Sequence, residues 1–215
     1  MDITWHGLGS FSIKGKPVSG EVTIVTDPFE GGDGLRFPRT LSAAVVAQSE
    51  DSKDANNSEA VSGTDKKAPF LVSHAGEYEV QGIFVTGIRA PKKSGEEHTI
   101  YRISFEGITV AFLGSLDRKL NNAELDGLGN VDVLILPIGG GDVMDKDLAQ
   151  TVVNQVEPRL VVPSYAKVAG SKRKLEGADA FCKELACVRE DLNKLKVTKS
   201  SLPTDEIKVI VLAKS

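Results

Sequence analysis

Three histidines, one carboxylate cluster and one basic run are the groups in this 215-residue chain whose types could do chemistry. Zinc needs three or four nitrogen, sulfur or carboxylate ligands at about 2.0–2.3 Å, and His6, His74 and His98 are widely separated. His6 ends a strand and reads as a hydrogen-bonded rim group. His74 precedes Gly76-Glu77-Tyr78 and reads as a turn residue, while His98 follows Gly95-Glu96-Glu97, a loop signature that predicts exposure. Glu50, Asp51 and Asp54 could bind a hard cation weakly, because Mg²⁺ and Ca²⁺ prefer oxygen ligands. The plainer reading is a solvated acidic loop. Lys167, Lys172, Arg173 and Lys174 could touch phosphates, yet such a run usually forms a solvated surface. Ser115 would need a base beside it to act as a nucleophile, and no His or Lys stands in a recognisable motif there. Cys182 and Cys187 fall in a stretch read as helical, where residues five apart diverge by about 140°, so two reduced thiols are expected.

The elements that must hold these groups are legible from periodicity. Glycine is abundant, 21 of 215 residues, and separates short β-branched runs, as in strands joined by tight turns. Strands are predicted at 3–6, 11–14, 21–26, 43–47, 70–73, 77–80, 83–88, 99–105 and 109–113. In the eighth of these, Tyr101, Ile103 and Phe105 share one face while Arg102 and Ser104 share the other. Asn121 and Glu124 read as a capping box, and Gly129 as the stop of a short helix. Leu148, Ala149, Val152, Val153 and Val156 make a second helix closed by Pro158, and a third is predicted at 176–192. Between them lie apolar strands at 131–136 and 160–162, of the kind buried on both faces, with a last strand at 207–212. The expected class is α/β, as one domain over 1–215.

Charge and hydropathy exclude several roles. With 26 Lys and Arg against 30 Asp and Glu, the net charge is −4, which offers no general attraction to nucleic acid or anionic lipid. The apolar run 131–138 is far shorter than the roughly 20 residues of a spanning helix. Residues 1–6 lack a basic and then apolar leader, so a cytoplasmic location is expected.

Several stretches, in order, carry a family resemblance. They are Ile3-Thr4-Trp5-His6-Gly7-Leu8-Gly9-Ser10-Phe11, Thr26-Asp27-Pro28-Phe29, Gly76-Glu77-Tyr78-Glu79-Val80-Gln81-Gly82-Ile83, Phe112-Leu113-Gly114, Val131 through Gly140, Val153 through Arg159, and Leu202-Pro203. Together they resemble the metallo-β-lactamase superfamily, in its branch of small bacterial zinc-dependent hydrolases related to ascorbate-6-phosphate lactonase. The resemblance implies a four-layered αββα sandwich with the active site at one edge, where the two sheets meet.

The same resemblance empties the metal site. The family's His-x-His-x-Asp-His motif falls on Glu50-Asp51-Ser52-Lys53-Asp54-Ala55, so only Asp54 keeps its type. The metal-bridging Asp falls on Ser115, and the last His on Tyr165 or, one residue earlier, Ser164. Asp27 is retained, and in the family it supports the site through hydrogen bonds. Without a metal, water is not acidified from about 15.7 toward about 7, and no Lewis acid meets the developing oxyanion. The resemblance thus implies a pseudoenzyme with a degenerate site and no catalytic residue or zinc, kept as a binding or assembly module and possessing the self-association common in this branch. The alternative is a hydrolase-like protein of altered chemistry acting on a phosphorylated or lactone-type molecule, so the question of enzymatic activity stays open at this point.

A pocket is expected near His6, Asp27 and Arg118. If Arg118 converges with Ser115 and Tyr165, their donors would suit a small anion. Equally, Arg118 could pair with Glu50 or Asp54 and close the cleft. The ligand positions predict less than about 0.2 zinc per chain in protein purified without an affinity tag. Metal analysis after chelator dialysis checks this, and tightly held zinc would refute the assignment of the loop.

Overall fold

Alternating and continuous apolar runs pair into two large sheets in the computed structural model, which describes residues 1–17, 20–64, 67–185, 188–189 and 192–215. The first half forms β1 (Asp2–Gly7), β2 (Ser10–Gly15), β3 (Val22–Thr26), β4 (Ser42–Ala43), β5 (Val45–Ala47) and β6 (Ser62–Gly63). It continues with β7 (Phe70–Val72), β8 (Gly76–Val80), β9 (Ile83–Arg89), β10 (Thr99–Phe105) and β11 (Ile108–Phe112). The second half adds α1 (Asn122–Leu128), β12 (Val133–Pro137), α2 (Lys146–Val156), β13 (Leu160–Ser164) and α3 (Ala178–Leu185). It closes with β14 (Val188–Arg189), β15 (Leu195–Lys196) and β16 (Lys208–Val211). One sheet has the order β15-β1-β2-β3-β5-β7, and the other the order β14-β16-β13-β12-β11-β10-β9-β8.

The predicted helix starts are built as the caps require. Asn121 Oδ1 accepts from Glu124 N at 3.0 Å while Glu124 Oε2 accepts from Asn121 N at 2.9 Å, a complete capping box on α1. Asp145 caps α2 through Leu148 N at 2.9 Å. Its C-terminal cap is Glu157 in the left-handed region, one residue before Pro158.

Several expectations are corrected. The strand expected over 43–47 is split at Ala44 into β4 and β5. Helix α3 ends at Leu185, well short of 192, and part of the remainder of that predicted helix lies outside the described residues. Cys182 is disulfide-bonded. Cys187 lies outside the described residues and beyond the end of α3, so the single-helix angular argument for two reduced thiols does not apply. Among the described residues, no helix is long and apolar enough to cross a membrane.

Among the described residues the three α-helices pack against the second sheet: α1 on β9 and β10, α2 on β12, and α3 on β16 and α2. The expected outer layer over the first sheet is different in kind. There Val25, Ala43, Val46 and Val61 form a small cluster covered by Phe37 and Leu41, from a segment whose regular structure is the β4–β6 ladder and one 3₁₀ turn, Ser58–Ala60. Coverage of an apolar sheet face is what burial demands, and a loop with a few large side chains meets it here.

The main core fills the space between sheets, joining Ile3, Ile13, Ile24 and Val45 of the first to Val85, Ile103, Val110 and Phe112 of the second. Strands β3, β5 and β7 run parallel, as do β11, β12, β13 and β16. Strand β9 shares the direction of β11, because both are antiparallel to β10. The loops leaving β3, β5, β9, β11, β12 and β13 therefore all start from carboxyl ends of strands, the place where open α/β sheets hold their ligands.

One side chain crosses the core to fix that edge. The buried Tyr101 of β10 places its hydroxyl 2.6 Å from Gln48 O and 3.1 Å from Val72 O, both on the first sheet's side. Tyr101→Phe should cost about 1–2 kcal/mol by leaving those carbonyls without this donor, read in urea unfolding as a lower midpoint with unchanged slope.

Candidate functional site

The loop after β5 is held from behind before any of its side chains reaches the cleft. Asp27, fully buried at the end of β3, accepts from both Ser49 N and Ser49 Oγ at 2.7 Å. Burial pushes the Asp27 carboxyl well above the usual carboxylate range, against the opposing effect of those two bonds. Thr99 N donates to Ser49 O at 2.8 Å, tying the same residue to the start of β10. Gly114 completes the support. With φ at +56°, it sits where a Cβ would fall 2.5 Å from Ser49 Oγ and 2.8 Å from His98 Nε2, so a side chain there would displace the loop.

His98 is buried, contrary to the expected exposure: its ring lies against Gly114, and its backbone O accepts from Ala90 N. Burial lowers its pKa to about 4, with Glu50 opposing and Lys92 assisting, so it is neutral at pH 7. His74 is exposed beside Ser73, as a turn residue should be. His6 is buried, bonded to Ser12 Oγ at 3.0 Å, and shifted to about 4 by burial and by Lys214.

In front of Ser49 lies a cleft of about 530 Å³ whose walls include Glu50, Ser52, Asp54, Ser115 and Tyr165. Five of the six positions that the resemblance assigns to a metal site are therefore brought together; Ala55 is buried and does not line the cleft. The alternative Ser164 is the last residue of β13, and it is Tyr165, with φ at +51°, that turns into the wall. Its ring packs beside Gly9, where a Cβ would lie 3.1 Å from the ring and 3.0 Å from Asp27 Oδ2.

Of the residues expected around a pocket, His6, Asp27 and Arg118, none lines this cleft. Asp27 stands behind Ser49, and His6 is engaged with β2. Arg118 makes a two-pronged pair with buried Glu124, at 3.0 and 2.8 Å, and donates to Pro91 O at 2.6 Å. The N3 carboxylate of α1 takes the cation that was expected to face Ser115 and Tyr165, or to pair with Glu50 or Asp54.

Four cations line the cleft, Lys53, Lys92, Arg173 and Lys174, and two of them pair with its carboxylates. Lys92 Nζ lies 2.5 Å from Glu50 Oε2, and each side chain is only 12% exposed. Arg173 grips both oxygens of Asp54, with Nη2 at 2.6 Å from Oδ1 and Nη1 bonded to Oδ2, and it also lies 3.5 Å from Asp33. Each pair joins the β5 loop of the first sheet to a loop of the second, after β9 for Lys92 and after β13 for Arg173. The solvated-loop reading thus fails for Glu50 and Asp54; exposed Asp51, which accepts from Asn56, fits it. The sequence reading puts Arg173 in a solvated basic run and gives Lys92 no role. The signal for both is indirect: carboxylates at a partly buried edge must find cations elsewhere in the chain.

The donor set does not fit zinc. Glu50 is committed to Lys92 and accepts from Ser52 Oγ at 2.7 Å, and Asp54 is committed to Arg173. Burial, aided by surrounding carboxylates, holds the Tyr165 phenol well above its ordinary pKa, so it is not an anionic ligand at pH 7. Ser115 is neutral, and among the described residues no three His, Cys, Asp or Glu side chains converge.

A family model described as the beta-lactamase superfamily domain matches residues 2–165. The chain belongs to the beta-lactamase superfamily. A solved protein of Thermotoga maritima, described as a candidate Zn-dependent hydrolase of the metallo-beta-lactamase superfamily, is 26% identical, with 99% of each chain covered and a TM-score of 0.77. Igni18, a metallo hydrolase of the archaeon Ignicoccus hospitalis, is 17% identical over 85% of this chain and 89% of its own, with a TM-score of 0.63. The metallo-beta-lactamase fold protein YhfI of Bacillus subtilis is 11% identical over 100% and 97%, with a TM-score of 0.61. These last two likenesses show the superfamily fold alone. No match was found among curated proteins.

Burial pushes Glu50 upward, but Lys92, Ser52 and Ser115 outweigh it and the carboxyl titrates below the ordinary glutamate value. A carboxyl lowered by folding stabilises above its unfolded pKa, and that stabilisation disappears as pH falls through the folded value. Lys92→Met should therefore cost about 2 kcal/mol at pH 7, with the difference from the parent shrinking below about pH 4.5. Urea unfolding of both proteins from pH 7 to 3 checks it.

Proposed function

We propose that this chain is a non-catalytic member of the superfamily that keeps the sandwich as a binding module. One observation carries the reading: both carboxylates at metal-ligand positions are engaged by cations of the same chain, Glu50 by Lys92 and Asp54 by Arg173. A divalent ion entering the cleft would have to break one pair and leave a partly buried ammonium or guanidinium without its partner, which is strongly unfavourable. The remaining positions, Ser52, Ser115 and Tyr165, offer hydroxyls, which are poor zinc ligands at neutral pH. The α/β scaffold and the cleft at the strand ends persist without that chemistry, and fold membership alone does not assign a reaction.

The test is a hydrolase panel of esters, lactones and phosphodiesters, run with and without added Zn²⁺, Mn²⁺ and Mg²⁺. The expected result is no turnover above the buffer rate under any condition. Metal-dependent turnover that is lost in Glu50→Gln or Asp54→Asn would replace this reading with that of a hydrolase of altered chemistry.

A further inference from the structure

The two sheets end on the same side of the sandwich. Among the described residues β7 is the last strand of the first sheet and β8 the last of the second. The Phe70 ring meets Tyr78 at 6.1 Å between centroids, so the two open edges lie together. An edge strand offers unpaired N–H and C=O groups to any chain that can lie beside it. On β7 the ladder with β5 fixes which groups those are. Phe70 N donates to Ala44 O and Val72 O accepts from Gln48 N, both toward β5. Leu71, between them, turns its N–H and C=O away from the sheet, because alternate residues of a strand bond to opposite sides. Leu71 and Phe70 are 44% and 47% exposed, so the edge is apolar as well as open.

Charge distinguishes the two edges. Strand β8 carries exposed Glu77 and Glu79, and a two-fold antiparallel pairing of β8 sets these carboxylates against their own kind, which is destabilising. Strand β7 reads Phe70-Leu71-Val72 between Ala68-Pro69 and Ser73, without a charge. We propose that β7 pairs antiparallel with β7 of a second copy of this chain across a two-fold axis at Leu71, making one continuous first sheet through a dimer. Each edge group then has a mate. Leu71 exchanges N–H···O=C bonds with the partner's Leu71, and Ser73 N donates to the partner's Pro69 O. Pro69 stands at the strand start, where a residue without an N–H is tolerated and leaves no donor unpaired. Leu71 packs against the partner's Leu71 on one face, and Phe70 against the partner's Val72 on the other. The antiparallel sense also carries exposed Lys67, just before β7, to the side where the partner's Glu77 follows it. An unrelated strand could supply the backbone bonds; the chain's own sequence supplies the side-chain match as well. The seam is three residues long, less than a permanent dimer buries, so the dimer exchanges with the monomer. Neither Phe70 nor Leu71 lines the cleft, and the inference stands apart from the cleft's reading.

The experiment is light scattering and sedimentation velocity on the intact chain from about 1 to about 500 μM. The mass should rise from one chain toward two, half-way at roughly 10–100 μM. Leu71→Glu, which sets like charges opposite each other at the axis, should raise that concentration by at least about 10-fold, while Glu79→Gln on β8 leaves it unchanged. Hydrogen exchange at the Leu71 amide of the unmodified chain reads the same seam without a substitution, and it should slow as protein concentration rises. A single-chain mass throughout overturns the proposal, as does an assembly larger than two chains. A dimer indifferent to Leu71→Glu, or strengthened by Glu79→Gln, puts the contact elsewhere and overturns it too. So does a Leu71 amide protected only by an added capped peptide of alternating threonine and valine, which would give the edge to a foreign strand.

Discussion

The ten or so residues after β5 carry carboxylates to a partly buried edge, and the arrangement at that edge follows from how those charges are neutralised. Glu50 and Asp54 are partly buried, and an unpaired carboxylate there would shift its pKa or pull the loop outward. Two cations from the opposite sheet meet them, so the loop is fastened in front by Lys92 and Arg173 and behind by Asp27 through Ser49. The cleft keeps its shape because its floor belongs to one sheet and its clamps to the other.

This arrangement shows how the superfamily's scaffold can hold its edge together with side chains of the same chain. In a metal-binding relative, cations at the edge would draw together donors from both sheets. Here the cations are side chains, covalently tethered to the second sheet, and the charge balance of the edge is held without exchange with solvent. The Tyr101 hydroxyl does a related job deeper in the core, linking β10 to the backbone at the ends of β5 and β7.

Most of the scaffold was legible from sequence because it depends on local patterns. Alternation gave β10 its buried face, the Asn121–Glu124 spacing gave α1 its start, and the continuous apolar runs gave β12 and β13. What was not legible depends on distant partners. Glu124 was seen as a cap, but nothing local says that it also binds Arg118. His98 follows a loop signature, and its burial comes from the way the β9–β10 loop folds back on the Ser49 segment. The loop itself was readable, and three of its four singled-out positions, Glu50, Ser52 and Asp54, line the cleft; the cations facing it were not, because Lys92 and Arg173 lie 42 and 119 residues from their carboxylates in sequence, on different strand connections. The outer cover of the first sheet was also misjudged, since a few large loop side chains satisfy the same burial requirement as a helix.

The pairing of Glu50 with Lys92 and of Asp54 with Arg173 has an evolutionary consequence. Replacing Glu50 by histidine strands the Lys92 ammonium, and replacing Lys92 first strands the Glu50 carboxylate; the same holds for Asp54 and Arg173. Either member of a pair can therefore change only by way of a less stable protein, and stability margins in natural proteins are narrow. The two ion pairs therefore act as a ratchet, each partner holding the other in place against single substitutions.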